Sequence, residues 1–352
     1  MRILYLGDNF THSTSAHRAA ALRRLGHETI CFNPQNFVPR YRIVSSLNVR
    51  TGYRLFANWV DIRLRRKIAK ELSRGHQEQV DLVWMDGCPQ LPVPFYRWVK
   101  TQGLRIVNYN VDDPFGRRDR RKWDLYLAAV PYHDLTVVVR EENIEEAKAR
   151  GARRVRRVYR SYDPVAHAPQ DISASERKHW AGEVVFVGSW MPERGPFIMR
   201  LLEAGVPLSI WGDHWHKAAE YESLRPTLRG PAVYGNEYVK AIQCAKVALG
   251  LLSKGNRDLH TQRSAEVPYI SGAAFCAERT REHEIMLKDG VEAVFWSSTE
   301  ECIAISKELL QNPDRRCAMA AAARQRILSD SLSNDAVMEG CLAAISRENE
   351  FS

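Results

Sequence analysis

Four side chains in one short stretch of this sequence are equipped for chemistry: Asp258, His260, Arg263 and Glu266, within DLHTQRSAEVPYISG. Seven residues separate the two carboxylates. A carboxylate can accept two hydrogen bonds from a cis-diol. A guanidinium fork matches phosphate oxygens. His260 can hydrogen-bond a phosphate, although a lone loop histidine is more often solvated. Each of the others has a plain structural alternative. Arg263 can be the salt-bridge partner of the acids around it, Glu266 a helix-start acid stabilised by the helix dipole, and Asp258 a loop aspartate. So many paired charges beside a buried strand still exceed what packing alone requires.

The elements that must position these groups can be read from the flanking residues. Pro268 and Gly272 bracket one short helix, since proline is favoured at a helix start and glycine just past its end. Ala273–Ala277 reads as a buried strand, followed by the charged turn Glu278-Arg279-Thr280. Around this stretch, from Val184 on, apolar strands alternate with amphipathic helices. Ser298 and Glu301 are spaced as a capping box, Asn312 and Pro313 as cap and first turn, and a last helix covers about Asp335 to Ser346. The first half has the same grammar, opening with the strand MRILYLG, a polar turn, a helix and the strand HETICFNP. Strand and helix alternation implies parallel sheets, with ligands at the strands' carboxyl ends. The expected architecture is α/β, two Rossmann-like domains facing across a cleft. Residues 1–165 form the first, 166–181 a Pro/Ser/Ala linker, 182–334 the second, and 335–352 a C-terminal helix and tail that crosses back to the first.

Further candidates sit where strand ends are expected. After the first strand, His12, Ser13 and Thr14 offer hydroxyls and a helix N-terminus, a ready anion or sugar site; simple N-capping would need only one of them. Asp112 and Asp113 end a central strand. One of them, or His12, is a candidate general base, and otherwise they suit acceptor hydroxyls. They do not form Asp-x-Asp, and Asp213, His214 and His216 are three near-adjacent groups on one loop, so no metal site is signalled. Trp190, Trp211 and Trp215 can stack on a base or sugar, or simply fill the core.

The chain of 352 residues is long enough for two full cores, and its apolar and charged fractions are those of an ordinary globular protein. No apolar run is long enough to span a bilayer, and the N-terminus reads as a strand and not a signal peptide. Seven scattered cysteines without a Cys-x-x-Cys pair point to a reducing cytosol. The net charge of +9 is unevenly placed. Residues 38–74 hold ten Lys and Arg against Asp61 and Glu71. Two more basic clusters follow at 116–122 and 150–157. Phe56 and Trp59 interleave with the first cluster, which suits an anionic membrane surface, an acidic acceptor or plain solvent. The glycine-rich dinucleotide fingerprint is absent, which argues against a nicotinamide cofactor.

FVGSWMPERG resembles the opening of the nucleotide-sugar domain in GT-B glycosyltransferases. Asp258-x7-Glu266 is similar to the paired-acid motif of the retaining group-1 type, with Asp in place of the usual first Glu. HTQRSAEVPYISGAAFCAERTREHEIMLKDGVEAVFW resembles the spore-maturation (CgeB-like) family more closely, and Asp112-Asp113-Pro114 and Ser161-Tyr162-Asp163-Pro164 do so weakly. The resemblance implies transfer of a sugar from a UDP or GDP sugar to a hydroxyl, retaining and metal-independent. No other cofactor is implied. The donor would lie on the second domain against Gly188, Ser189, Arg194, His260, Arg263 and Glu266. Glu266 matches the ribose-binding acid and Arg194 the basic residue near the diphosphate, while Ser189 replaces a second basic residue. Asp258, Arg194, Arg263 and Asp112 would be the catalytic set, with Asp258 facing the donor sugar. The acceptor, a saccharide or a lipid-linked hydroxyl, would meet His12, Ser13, Thr14 and Asp113. A cytoplasmic enzyme, peripheral to the membrane through its basic segment, is the expectation. A catalytically idle nucleotide- or sugar-binding assembly protein is the alternative, and a nucleic-acid-binding protein a third.

Overall fold

The computed structural model describes residues 1–38, 42–73 and 79–346. Residues 39–41 and 74 of the basic segment, and 347–352 of the tail, lie outside the described residues. The chain divides into two compact units. The first comprises Met1–Tyr159, Gly255–Arg257 and the chain from Asn334; the second comprises Arg160–Lys254 and Asp258–Ser333.

In the first unit β1 (Arg2–Leu6), β2 (Glu28–Phe32), β3 (Leu82–Asp86), β4 (Arg105–Asn110), β5 (Leu135–Val138) and β6 (Val155–Arg157) form a parallel sheet in the order β2-β1-β3-β4-β5-β6. Its strands are short apolar runs because helices cover both faces, which leaves no wet side to alternate toward. The helix Asn334–Ser346 completes one layer. Val337, Met338, Cys341, Leu342 and Ile345 recur at helical spacing and are buried among Ile3, Tyr5, Leu22, Trp84 and Val107. At about 1.5–3 kcal/mol for a fully buried large apolar side chain, this seam is a major part of the unit's core.

Helices Arg42–Arg50 and Ala57–Leu72 are separated by a turn in which Gly52 has φ +66° and lies so close to Arg121 O that a Cβ would stand 2.3 Å from it. A side chain there would collide, so the turn needs glycine.

In the second unit β7 (Gly182–Val187), β8 (Leu208–Trp211), β9 (Leu228–Gly230), β10 (Ala245–Gly250), β11 (Ala274–Glu278) and β12 (Val294–Trp296) are parallel in the order β12-β11-β10-β7-β8-β9. The order reverses between β7 and β10, so a crevice opens at their carboxyl ends. Residues 160–181, read in part as a linker, fold with this unit. Ser161, Tyr162, Asp163 and His167 are buried. Ala174–Trp180 is a helix with a capping box between Ser173 and Glu176. Its polar, aperiodic composition hid it, because the helix buries only Trp180. Among the described residues no helix is long and apolar enough to cross a membrane.

The helix in the charged stretch also differs from its expected form. It runs Arg263–Ile270 with Pro268 inside it. Proline sits in the second half, and the chain then leaves through Ser271 (φ 64°) and Gly272 (φ +98°). A Cβ on Gly272 would stand 2.5 Å from the Gln243 carbonyl oxygen.

Candidate functional site

The switch point of the second unit is built by close backbone approach. The Gly188 amide donates to Trp211 O at 2.9 Å, and a Cβ on Gly212 would stand 2.0 Å from Gly188 O. Trp215 donates its indole N–H to that same carbonyl at 3.1 Å. Trp211 and Trp215 are therefore buried packing residues, which is the structural alternative, and Trp190 packs partly buried against the same core.

Arg194 opens the helix Arg194–Glu203 and folds back across this crevice. It donates to Ser189 O at 2.8 Å, just beyond β7, and to Leu251 O at 3.2 Å and Leu252 O at 3.4 Å, just beyond β10. Its guanidinium also lies 5.3 Å from the Phe186 ring centre. One buried cation thus ties together the two strand exits that frame the crevice. Beside it is a cavity of about 240 Å³, lined by Arg194, Phe197, Lys254, Glu278, Trp296 and Ser298 among others. Lys254 is paired with Glu278, and Trp296 stacks on Phe197 with ring centres 4.8 Å apart.

Glu266 is 2% exposed and its acceptor oxygens are engaged from within the unit. Oε2 receives the Tyr238 hydroxyl at 2.7 Å and Arg263 at 3.3 Å. Oε1 faces His167 Nε2 at 3.4 Å. His167 Nδ1 accepts the Asp163 amide at 2.9 Å, which leaves the ring proton on Nε2, pointing at Glu266. Burial, together with the Glu266 charge, pushes the Tyr238 phenol well above its ordinary value, so it remains a donor. Arg263 also bonds Val187 O at 3.3 Å and lies 4.8 Å from the Tyr238 ring centre, with about a third of its side chain still exposed. In this structure Glu266 therefore organises Tyr238, His167 and Arg263, and does not stand open to a diol. Tyr238 and His167 were not singled out in the sequence. Nothing in EYVKAIQ or PVAHAP marks them beyond an ordinary helix and a polar run.

Two other expectations are corrected. Asp258 is buried and paired with Arg160 at 3.1 Å, so it is committed to a salt bridge and not turned to a sugar. His260 is no solvated loop residue or phosphate ligand. It is 2% exposed, its Nε2 accepts the Arg160 amide at 2.9 Å, and its Nδ1 meets Glu282. The accepted amide fixes the proton on Nδ1, where Glu282 receives it. The charged turn after β11 has a similar physical role. Thr280 caps the helix Arg281–Met286 through the His283 amide at 3.0 Å. His283 Nδ1 lies within hydrogen-bond reach of Glu278 O at 2.6 Å and His283 Nε2 of the Ser264 hydroxyl at 2.8 Å. The Glu-Arg-Thr-x-Glu-His run thus fastens the exit of β11 to the start of the Arg263 helix. Ser161 O accepts Gln262, and Pro164 O accepts Tyr269 at 2.8 Å, so the Ser161–Pro164 run is fastened there as well.

In the first unit, Ser13 is the N-cap of the helix Thr14–Arg24, accepting from the Ala16 amide at 3.1 Å. Thr14 accepts from Arg18 at 3.3 Å, while His12 is exposed beside Phe10. Under this loop, at the end of β3, lies a buried cluster. Asp86 takes Arg18 at 2.6 and 2.9 Å and the Tyr5 hydroxyl at 2.7 Å. Asp112 remains open, its side chain 43% exposed and 3.6 Å from Lys122. Asp113 does not. It takes Arg257 at 2.7 and 2.8 Å, Asn143 at 3.0 Å and the Gly116 amide at 3.0 Å. Burial would raise its pKa, but Arg257 and Asn143 outweigh that and hold the carboxyl below its ordinary value. An ionised, fully partnered carboxylate has little capacity left for an acceptor hydroxyl.

Comparison with known proteins agrees with this architecture. Residues 194–341 match the family described as glycosyl transferase-like. Sucrose-phosphate synthase from Thermosynechococcus elongatus superposes with a TM-score of 0.68 at 10% identity, over 99% of this chain and 98% of its own. Anabaena HepE, solved in complex with UDP-glucose, gives 0.65 at 12% identity over 98% and 100%. The α,α-trehalose-phosphate synthase of Burkholderia xenovorans, in complex with glucose-6-phosphate, gives 0.61 at 12% over 98% and 99%. No match was found among curated proteins. At these identities the structural likeness speaks for the fold, and the fold is GT-B.

Proposed function

We propose that the protein transfers a sugar from a nucleoside-diphosphate sugar, of UDP or GDP type, to a hydroxyl of a saccharide or lipid-linked acceptor. Transfer proceeds with retention and without a metal ion. The observation that carries this reading is the pair of guanidinium groups at the β7/β10 switch point. Arg194 spans the two strand exits, and Arg263, at the start of the next helix, keeps part of its side chain in solvent. The departing diphosphate gains negative charge in the transition state, and cations held in place before the reaction stabilise it without reorganisation. Arg263 meets the diphosphate, Glu266 and Tyr238 hold its fork, and Arg194 shapes the crevice floor. Retention needs no strong base, which suits a chain whose Asp113 and Asp258 are both bound to arginines. Asp112 and His12 are left to meet the acceptor. UDP-glucose in HepE supports the donor class.

The test is a panel of UDP and GDP sugars read by thermal shift and by turnover. One donor should raise the melting temperature and be consumed, with product of unchanged anomeric configuration by NMR and no loss of rate in EDTA. Arg263→Ala should lower kcat by about 10²–10³-fold, and Arg263→Lys should restore part of it. Full activity in Arg263→Ala would overturn the placement. Nucleotide binding without turnover of any donor would favour the idle assembly protein.

A further inference from the structure

We propose that the helix Ala57–Leu72 of the first unit, with the turn before it, is a docking surface for an anionic lipid bilayer. The inference is independent of the sugar-transfer reading. The helix carries two stripes. Ala57, Val60, Leu64 and Ile68 are buried and hold it to the unit. Trp59, Ile62, Arg63, Arg66, Lys67 and Lys70 recur at helical spacing on the opposite, exposed side. Trp59 is 47% and Ile62 50% exposed, on a helix whose remaining large apolar residues are covered. The Arg63 guanidinium lies over the Trp59 ring at 3.9 Å, which keeps the indole displayed flat beside a cation. Asp61 does not dilute this face, because it is buried and bonded to Arg65. Glu71 lies half-buried in the last turn. Leu55 in the preceding turn, and Leu47 and Val49 in the helix Arg42–Arg50, are exposed as well.

The chemistry selects among anionic partners. Cations alone would serve nucleic acid or an acidic peptide, and an indole can stack on a base. Isoleucine, leucine and valine have no stacking face. Aliphatic side chains interleaved with arginine and lysine fit the boundary between lipid headgroups and acyl chains, where the apolar groups enter and the cations meet phosphate. Tryptophan is enriched at that same boundary.

The experiment uses the full chain and sedimentation with vesicles. Binding is expected to vesicles containing about one-third phosphatidylglycerol and not to phosphatidylcholine alone, because the attraction depends on anionic headgroups. It should weaken when salt rises from about 0.05 to about 0.5 M. Each cation near such a surface is worth about a fivefold change in partitioning, so Arg66→Ser with Lys67→Ser should cost about 25-fold. Trp59→Ser with Ile62→Ser should cost about tenfold or more while leaving every charge in place. All four positions are exposed, so the melting temperature should stay put, and the unaltered chain is its own control. Failure to sediment with phosphatidylglycerol vesicles would overturn the proposal. So would equal binding by the Trp59/Ile62 variant. Tighter binding to a single-stranded RNA oligomer than to the vesicles, lost in the Arg66/Lys67 variant but kept in Trp59→Ser/Ile62→Ser, would assign the face to nucleic acid.

Discussion

Removing Arg257 should uncover how much of the first unit rests on one guanidinium. Its four bonds run to Asp113 at 2.7 and 2.8 Å and to Glu146 at 2.9 Å twice. Asp113 is 1% exposed at the side chain, so Arg257→Ala leaves a buried carboxylate with only Asn143 and the Gly116 amide. Breaking a fully buried pair from one side typically costs about 3–5 kcal/mol. Arg257 is itself 37% exposed, so water reaches the vacancy and the expected cost falls to about 2–3 kcal/mol. That is a factor of about 30–150 in the folding equilibrium. Urea denaturation, with hydrogen exchange of the β4 and β5 amides to localise the effect, measures it. The cycle with Asp113→Asn should return a coupling of about 1.5–3 kcal/mol. The acid limb gives an independent reading. Asp113 has a folded pKa below its unfolded value of about 3.9. Its contribution is therefore complete above that unfolded value and is lost as pH falls through the folded one. Asp113→Asn should flatten this limb. A loss below about 0.5 kcal/mol, or no coupling, would refute the account of Asp113 as an anchor.

Tyr238→Phe should destabilise by about 1.5–3 kcal/mol, since it removes a hydrogen bond to a buried carboxylate, and thermal denaturation reads this directly. Gly272→Ala should cost more than about 1 kcal/mol because the residue sits at φ +98° with Gln243 O in the path of a Cβ; an unchanged urea midpoint would contradict the geometry. Burial lowers the pKa of His283, and burial with the Lys100 charge takes His133 down to about 3. Below about pH 6.5 the unfolded chain takes up protons that these folded rings refuse, so stability should decline from pH 7 toward 5. His133→Asn and His283→Asn should each reduce that slope in urea titrations at stepped pH.

The sheets were legible because parallel strands covered on both faces read as bare apolar runs: RILYL, LVWMD and AKVALG announce themselves. The return of the last helix to the first unit was also expected. The helix Ala174–Trp180 was hidden because it buries one residue, so it has no periodic stripe to detect. Pro268 misled for a different reason. It was read as a helix start, whereas Gln262 and Arg263 open the turn five residues earlier. Within the site, residue types could be read but pairings could not. Asp258 and Asp113 find their arginines at positions 160 and 257, separations of 98 and 144 along the chain. No local pattern encodes such distances. His283 and Glu278 take their role from hydrogen bonds that fasten the exit of β11 to the start of the Arg263 helix.

The helix Asn334–Ser346 also bears on the order in which the protein can fold as it is made. The first unit's sheet is complete by Arg157, yet the layer supplied by Val337, Met338, Cys341, Leu342 and Ile345 follows only after all of the chain from Arg160 to Ser333. At about 5–20 residues per second that interval is roughly 9–35 s. Throughout it, Ile3, Leu22, Trp84 and Val107 lack their covering helix, while the second unit can close on itself as it emerges. The unit begun first is thus finished last.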